Sequence, residues 1–246
     1  MSHIHINFEH VNYSYEKTVP ILQDITFTAH ENDSIGLIGA NGVGKSTLLK
    51  LLVGLNPDYE GSIRVEEMPV VKEMLPKVRE QIGYVFQASD SQLFMSTVFE
   101  DVAFAPRNYG LPETEVEQRV SHALEQIHIG HLRDKQIYKL SGGEKKMASI
   151  ATILAMTPDI ILMDEPSIAL DPRNRSALIH MLDDFEHLEI IASHDLDMIL
   201  ETCNRVILMA GGRIVCDGDT KEILTNKELL EANGLELPFC LQKPMW

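Results

Sequence analysis

The chain has 246 residues, of which 44 % are apolar, and it carries a formal net charge of −16 at pH 7. This length and composition are typical of a globular protein that buries one large core. The acidic balance argues against nucleic acid as a partner, because phosphate backbones are bound by clustered lysine and arginine. A small anionic ligand could still bind at a local pocket.

The N-terminal stretch MSHIHINFEH has neither the charged region nor the apolar region of a signal peptide. No apolar run approaches the roughly 18 residues of a membrane span. Cys203, Cys216 and Cys240 form no CxxC pair, which is typical of reduced thiols in a cytosolic protein. We therefore expect any membrane role to come through a partner.

Hydrophobic periodicity predicts an α/β fold in chain order. Residues 3–35 alternate apolar and polar, as half-buried antiparallel strands do. The short apolar runs in SIGLIG, DIILMD and EIIAS indicate buried strands of an α/β sheet. Between the first two runs, roughly residues 88–156 form a mainly helical insertion, and after about residue 205 a hairpin turns at Gly211 and Gly212. We predict a single domain over residues 1–246.

A glycine-rich segment, GANGVGKST, follows the first of these apolar runs and precedes LLKLLVG. It matches the pattern GxxxxGK[ST], in which backbone N–H groups and a helix N-terminus surround phosphates. We expect Lys45 to reach the β- and γ-phosphates and Ser46 to ligate Mg²⁺. The alternative is a strand-to-helix turn without a ligand. The predicted phosphate-binding residues are Gly39, Ala40, Asn41, Gly42, Val43, Gly44, Lys45, Ser46 and Thr47.

An acidic pair, Asp164 and Glu165, ends the apolar run of residues 160–163. A carboxylate at the end of a buried strand can hold Mg²⁺, directly or through water, so Asp164 is a predicted metal ligand. Glu165 is then placed to act as general base toward the attacking water. A helix N-cap or a solvated turn is the alternative interpretation of such a pair.

The segment LSGGEKKMASIA begins at Leu140 and opens an apolar helix. Ser141 and Glu144 form a capping-box pattern, and Gly142 and Gly143 expose backbone donors at the helix N-terminus. Helix capping alone explains the pattern. In a chain that already has a phosphate loop, it also suggests a second phosphate-contacting surface.

With these three motifs, the sequence resembles the ATP-binding cassette (ABC) ATPases over essentially its whole length. The resemblance implies a P-loop NTPase core with an N-terminal antiparallel β subdomain and a helical subdomain that carries the signature loop, residues 140–144. In that family two subunits pair head to tail. Each ATP is held between one phosphate loop and the signature loop of the partner.

The resemblance assigns four further residues. Tyr15 resembles the aromatic residue that stacks on adenine, although it could be a strand-edge tyrosine. Gln87 resembles the glutamine that contacts Mg²⁺ and the attacking water. Asp171 resembles an aspartate that faces the opposed subunit, although with Pro172 it also makes a good helix start. His194 resembles the histidine that touches the γ-phosphate; its alternative is a structural role.

Two positions depart from the family pattern. Ala169 stands where glycine is usual, two residues before Asp171, and the signature loop ends in Glu144 rather than glutamine. Both changes are conservative, so we still expect ATP binding.

The segment FQASDSQLFMSTVFEDVAFAP, from Phe86, resembles the ATPases of energy-coupling-factor (ECF) importers. In those ATPases the first glutamine is followed five residues later by a second one, directly before Leu-Phe, as Gln87 and Gln92 are here. That resemblance implies a second ATPase subunit, a transmembrane coupling protein, a substrate-capturing membrane protein and a location at the cytoplasmic face of the membrane. The C-terminal segment TKEILTNKELLEANGLELP looks most like cobalt and nickel importer ATPases of the CbiO type. ATPases shared among vitamin importers usually extend further.

The same segment predicts a docking surface. Leu93 and Phe94 are apolar side chains in a polar loop, and Thr97 with Glu100 forms a capping box for the helix that follows. We expect these side chains, together with Val98, Phe99 and Val102, to form a groove for helices of the coupling protein. Alternatively, they fill the core of the helical insertion.

Three functions compete with a metal-ion importer. An ECF importer for a vitamin would share every motif. A soluble ABC ATPase acting on DNA or ribosomes fits poorly, since the chain is acidic and has neither inserted coiled coils nor a second cassette. A regulatory subunit without turnover fits poorly with an intact Asp164, Glu165 and His194.

Overall fold

The computed structural model describes residues 4–16 and 19–242. In chain order the strands are β1 (Ile4–Tyr13), β2 (Leu22–His30), β3 (Ser34–Ile38), β4 (Glu60–Val65), β5 (Met68–Pro69), β6 (Ile82–Val85), β7 (Ile160–Asp164), β8 (Leu188–Ala192), β9 (Arg205–Ala210) and β10 (Arg213–Asp219). The helices are α1 (Lys45–Leu52), α2 (Leu75–Gln81), α3 (Val98–Asn108), α4 (Glu113–Gln126), α5 (Gly142–Leu154), α6 (Pro172–Asp183), α7 (Leu196–Thr202), α8 (Thr220–Leu224) and α9 (Lys227–Ala232).

The chain forms two compact units. The first contains Met1–Ile82 and His187–Trp246, and the second contains Gly83–Glu186. Within the first unit, an antiparallel sheet has the strand order β2-β1-β4-β5, as the alternating N-terminal pattern predicts. Phe8 and Phe27 are directly opposed on β1 and β2, and their rings stack with centroids 4.8 Å apart.

A second sheet in this unit carries the phosphate loop. Strand β3 pairs in parallel with β8 on one side and with β9 on the other, and β10 is antiparallel to β9. Every residue of β8 is buried, which explains the apolar run of residues 190–192 at its end. The hairpin between β9 and β10 turns at Gly211 and Gly212, as the sequence indicated.

The second unit is mainly helical, as expected for the insertion. Helices α3, α4 and α5 pack on one another. The residues of α4 and its C-terminus that recur at helical spacing are fully buried or nearly so: Val116, Val120, Leu124 and Ile127. Strand β7 is buried along its whole length and lies beside β6. The buried residues of α4 therefore form the apolar face of this helix, which lies in the core of the unit.

The three cysteines are free thiols at different depths: Cys203 is buried, Cys216 is half-buried and Cys240 is exposed. Burial raises the pKa of the Cys203 thiol to about 12, so it stays protonated at neutral pH. Within residues 4–16 and 19–242, no helix is long and apolar enough to cross a membrane.

Candidate functional site

The phosphate loop, residues 39–47, turns sharply between β3 and α1. Gly39, Gly42 and Gly44 have φ values of 148°, 76° and 111°, a region that favours glycine. A Cβ on Gly39 would lie 2.3 Å from the carbonyl oxygen of Met209, so no larger residue fits there. The spacing of the glycines is therefore required by the backbone as well as by any ligand.

Helix α1 begins at Lys45, immediately after this turn. Among the residues that the structure describes, no side chain caps the helix at Gly44. The first N–H groups of a helix have no partner within the helix, and they carry the positive end of its dipole. An anion at this end would therefore be stabilised by backbone donors and by the dipole.

Lys45 lies over the phosphate loop and is almost entirely buried. Its ammonium group donates to the carbonyl oxygens of Gly39 at 2.7 Å and Ala40 at 3.3 Å. It also lies 3.2 Å from Nε2 of His194. The structure thus places Lys45 and His194, two predicted site residues from distant parts of the sequence, against one another.

His194 follows β8 and precedes α7. Burial and the positive charge of Lys45 hold the pKa of His194 below its usual range. The imidazole is therefore neutral at pH 7, and its Nε2 can accept a hydrogen bond from the Lys45 ammonium. A neutral histidine here can donate its N–H to a phosphate oxygen without adding a full charge.

Tyr15 lies just beyond the end of β1 and is 57 % exposed. Its hydroxyl is 3.2 Å from the hydroxyl of Thr47, the last residue of the phosphate loop. Its ring meets Tyr13 edge to face and borders a cavity of about 650 Å³ that is also lined by Asn56 and Asp58. The free face of an aromatic ring beside the phosphate loop is the geometry that base stacking requires.

In the second unit, Asp164 ends β7 and Glu165 follows it with a positive φ of 50°. Both carboxylates are nearly inaccessible, with 3 % and 5 % of their surface exposed. Both attract the ammonium group of Lys146, which is itself buried on α5. Sequence reasoning missed Lys146, and the available signal was a charged residue within the apolar face of a helix.

Gln87 is exposed two residues after the end of β6. Gln92, five residues later, is turned toward α5: its amide nitrogen donates to the carbonyl oxygen of Ser149 and to the hydroxyl of Thr152. Its side-chain oxygen accepts from the backbone N–H of Phe86. Gln92, the second glutamine of this segment, therefore uses its side-chain amide inside the second unit.

The signature loop ends in a complete capping box at the start of α5. The hydroxyl of Ser141 accepts from the backbone N–H of Glu144, and the Glu144 carboxylate accepts from the N–H of Ser141. Glu144 also accepts from Lys135 at 2.8 Å. The bonds from Lys135 and Ser141 hold the pKa of Glu144 below its usual range. This confirms the capping pattern read from the sequence.

The signature loop lies next to the segment that contains Asp171. A Cβ on Gly143 would lie 3.0 Å from the carbonyl oxygen of Ala169, so glycine allows this close approach. Asp171 caps α6 by accepting from the backbone and side chain of Asn174. Ser141, Glu144 and Asp171 all border one cavity of about 700 Å³. Gly142, at the first position of α5, is exposed.

The structure places several residues of the predicted docking surface in the core and leaves Phe94 exposed. Leu93 is 7 % exposed, and Val98 and Val102 are fully buried, so these residues belong to the core of the second unit. Phe94 and Phe104 are exposed, at 64 % and 37 %, and their rings meet edge to face with centroids 4.7 Å apart. Thr97 caps α3 by accepting from the N–H of Glu100.

The residues of the phosphate loop fit a nucleoside triphosphate and Mg²⁺. Backbone donors and Lys45 suit phosphate oxygens, while the half-buried hydroxyl of Ser46 is a hard oxygen ligand. In the described ranges, no three or more His, Cys, Asp or Glu side chains form a metal-binding group.

A phosphate loop that opens α1, a buried lysine in contact with a histidine, and a carboxylate pair after β7 are together typical of a nucleotide-binding ATPase. The family model described as "ABC transporter" matches residues 22–168. The chain belongs to this family, whose ATP-binding subunits hydrolyse ATP to power transport. Its fold is accordingly the ABC ATPase fold.

Individual relatives narrow the assignment within this family. A protein of Geobacter sulfurreducens, named provisionally as an ABC transporter ATP-binding protein, is 48 % identical, covering 98 % of this chain and 97 % of its own. The energy-coupling factor transporter ATP-binding protein EcfA of Carboxydothermus hydrogenoformans is 39 % identical, covering 96 % and 88 %. The structure of cbiO1 from Clostridium perfringens, part of the ABC transporter complex cbiONQ, has a TM-score of 0.81 at 36 % identity and 94 % coverage of both chains. The chain is thus an ECF-type, CbiO-like ATPase.

Proposed function

We propose that this ATPase energises an importer for cobalt or nickel ions. The supporting observation is the likeness to cbiO1, which extends over 94 % of both chains at 36 % identity. The C-terminal segment that resembles CbiO-type ATPases includes α8 and α9 and points the same way. An ECF importer for a vitamin is the competing assignment, since relatives named EcfA are also similar.

In this proposal residues 1–246 serve as one ATP-binding domain, and two copies or close paralogues pair head to tail. The pair associates with a transmembrane coupling protein and a substrate-capturing protein, at the cytoplasmic face of the membrane. ATP is bound through the phosphate loop and Tyr15, and the partner contributes its signature loop and Asp171. Ser46, Asp164 and Gln87 would hold Mg²⁺, which would supply positive charge to polarise the terminal phosphate.

Glu165 is the proposed general base, and His194 and Gln87 complete the proposed catalytic set. The buried Glu165 carboxylate can take a proton from water, while Lys45 and His194 hold the terminal phosphate. Glu165→Gln keeps the shape of the side chain but cannot accept that proton. We expect turnover to fall by about 100-fold or more, with ATP binding retained. Turnover at the wild-type rate would remove Glu165 from this role.

The surface formed by Phe94 and Phe104 is the proposed contact with the coupling protein. The backbone N–H groups of Phe94 and Met95 donate to the buried carboxylate of Asp101, which fixes the Phe94 ring outside the core. Phe94→Glu should therefore abolish co-purification with the membrane partners without changing the ATPase activity of the isolated protein. Phe239→Glu, at an aromatic residue that is 81 % exposed, is the matched control. Equal behaviour of the two variants would contradict the proposed contact.

The transported substrate is tested by reconstitution. The chain is purified with the membrane proteins encoded beside its gene and placed in vesicles, and ATP-dependent uptake of radioactive cobalt, nickel and a panel of vitamins is measured. The proposal expects uptake of one of the metal ions that disappears in Glu165→Gln. Vitamin uptake without metal uptake would replace it with the competing assignment.

A further inference from the structure

Lys146 is a buried cation that none of the sequence motifs explains. It lies on α5, two residues after the signature loop, and is 2 % exposed. Its ammonium group donates to the backbone carbonyl oxygens of Phe86 at 2.9 Å and Gln87 at 2.7 Å. A lysine in the interior costs several kcal/mol unless its charge is compensated, so a feature of this kind requires a reason.

The compensation comes from two sources. The carbonyl oxygens of Phe86 and Gln87 accept two of its three N–H bonds, and Asp164 and Glu165 supply negative charge. Burial nevertheless lowers the pKa of Lys146 to about 8, against the opposing attraction of those carboxylates. The Lys146 ammonium group therefore contacts the backbone of Gln87, one proposed catalytic residue, and balances the charge of Glu165, another.

Gln92 forms a second connection between the same segment and the same helix. Its amide nitrogen donates to the carbonyl oxygen of Ser149 at 2.7 Å and to the hydroxyl of Thr152 at 2.8 Å. Its side-chain oxygen accepts from the N–H of Phe86. The N–H of Phe86 thus donates to Gln92, and its carbonyl oxygen accepts from Lys146. Lys146 belongs to α5, and Gln92 is hydrogen-bonded to that helix.

We propose that Lys146 is a positioning residue for ATP hydrolysis: it holds the backbone of Gln87 against the signature helix α5 and balances the charge of Asp164 and Glu165. Gln92 is the accessory residue that fixes the other side of Phe86. The proposal rests on the roles assigned above to Gln87 and Glu165. It gives α5 a direct link to the glutamine segment, residues 86–92, through the backbone carbonyl groups of Phe86 and Gln87.

Lys146→Met tests the proposal, because methionine keeps the length and apolar stem of lysine and removes its charge and donors. We expect kcat to fall by about 10- to 100-fold while KM and the dissociation constant for ATP change by less than about threefold, as misplaced catalytic groups produce. Backbone amides of residues 86–92 should exchange with deuterium faster in the nucleotide-free protein. Lys146→Arg, which retains charge and donors, should recover most of the turnover and protection.

Lys145→Met is the matched control. Lys145 is the preceding residue, and its only described ion pair is with Asp90, whose side chain is 78 % exposed. Asp90 lies in the same segment, but exposed ion pairs contribute little, so this variant should resemble the wild type in turnover and change exchange much less than Lys146→Met. If Lys146→Met fails to fold, Gln92→Ala is measured instead, with faster exchange at residue 86 and a smaller loss of kcat expected.

The outcomes separate this inference from the proposed function. Wild-type turnover and exchange in Lys146→Met, or equal losses in both lysine variants, would overturn the positioning role. A change in ATP affinity without a change in kcat would overturn it as well. Glu165→Gln is assayed in parallel: if that variant still hydrolyses ATP, the catalytic assignment fails, and the exchange measurement alone decides whether Lys146 holds the segment.

Discussion

The N-termini of α1 and α5 both follow glycine-rich motifs, yet they are built in opposite ways. Helix α1 starts after Gly44, and within the described residues no side chain caps it. Helix α5 starts after Ser141, whose hydroxyl and backbone are both engaged with Glu144 in a full capping box. In the part of the chain that the structure describes, the first helix end has no side-chain cap, whereas the capping box of the second satisfies the N–H groups of Ser141 and Glu144.

The charged side chains beside the two helix N-termini also differ. Lys45 adds a cation at the start of α1, while α5 has the carboxylate of Glu144 in its first turn, paired with Lys135. An isolated subunit should therefore bind the triphosphate through α1, and the signature loop should affect turnover more than affinity. Three substitutions test this contrast.

Lys45→Ala should have the largest effect. A charge-assisted hydrogen bond to phosphate contributes about 1.5–3 kcal/mol, so we expect the dissociation constant for ATP to rise by about 10- to 100-fold. Titration with a fluorescent ATP analogue measures this directly. Lys50→Ala, in the last turn of the same helix, is the control and should change affinity by less than about twofold.

The same Lys45 variant should also raise the pKa of His194, because one of the two causes that lower it is removed. The imidazole resonances in an NMR titration report this shift. An unchanged pKa would mean that burial alone keeps His194 neutral.

Ser141→Ala should have an intermediate effect. Loss of an N-cap side chain costs about 1 kcal/mol of unfolding free energy, which urea denaturation measures. Thr97→Ala at α3 removes a cap of the same kind, whose hydroxyl accepts from Glu100, and should cost a similar amount. Turnover should fall in Ser141→Ala alone, with ATP affinity of the isolated subunit unchanged. Weaker ATP binding in Ser141→Ala would contradict the contrast between the two helix ends.

Glu144→Gln should have the smallest effect, and one that depends on pH. The pKa of Glu144 is lowered on folding by Lys135 and Ser141, so its stabilising contribution is present above its usual pKa of 4.5. That contribution is lost as pH falls through the lower folded pKa. Because the pair is partly exposed, we expect about 0.5 kcal/mol near pH 7. The stability difference between wild type and variant should shrink as the pH falls toward 3, as followed by thermal unfolding, and Lys135→Met should remove most of it.

The sequence predicted the features that short, contiguous segments determine. The phosphate loop was predicted from its glycines, which suit the positive φ angles of the turn. The start of α5 was predicted from Ser141 and Glu144, which lie three residues apart. The mainly helical character of roughly residues 88–156 follows from their hydrophobic periodicity. Each of these depends on neighbours within one or two turns, so a local pattern suffices.

Features that depend on distant residues were not predictable in the same way. The partners of Gln92 lie 57 and 60 residues further along the chain, so its sequence context could not show that the amide turns inward. Leu93 and Phe94 are adjacent and similar in character, yet one is buried and the other exposed. Lys146 is buried because distant carbonyl and carboxylate groups compensate its charge.

Ala169, which stands where the family pattern has glycine, affects the free energy of the backbone. Its φ of 68° lies in the left-handed region, which explains why the family pattern has glycine at this position. A non-glycine residue in this conformation costs about 1–2 kcal/mol of backbone free energy. The alanine is conservative in size, but it is not neutral for the backbone.

The exposed rings of Phe94 and Phe104 also determine how the isolated subunit behaves in solution. A net charge of −16 keeps molecules apart at low ionic strength, so the apolar patch rarely meets another copy. Salt shortens the range of that repulsion to about 8 Å at 0.15 M, while hydrophobic attraction persists. Light scattering should therefore show self-association that grows with salt. The exposed rings of Phe94 and Phe104 would then lower the colloidal stability of the isolated subunit.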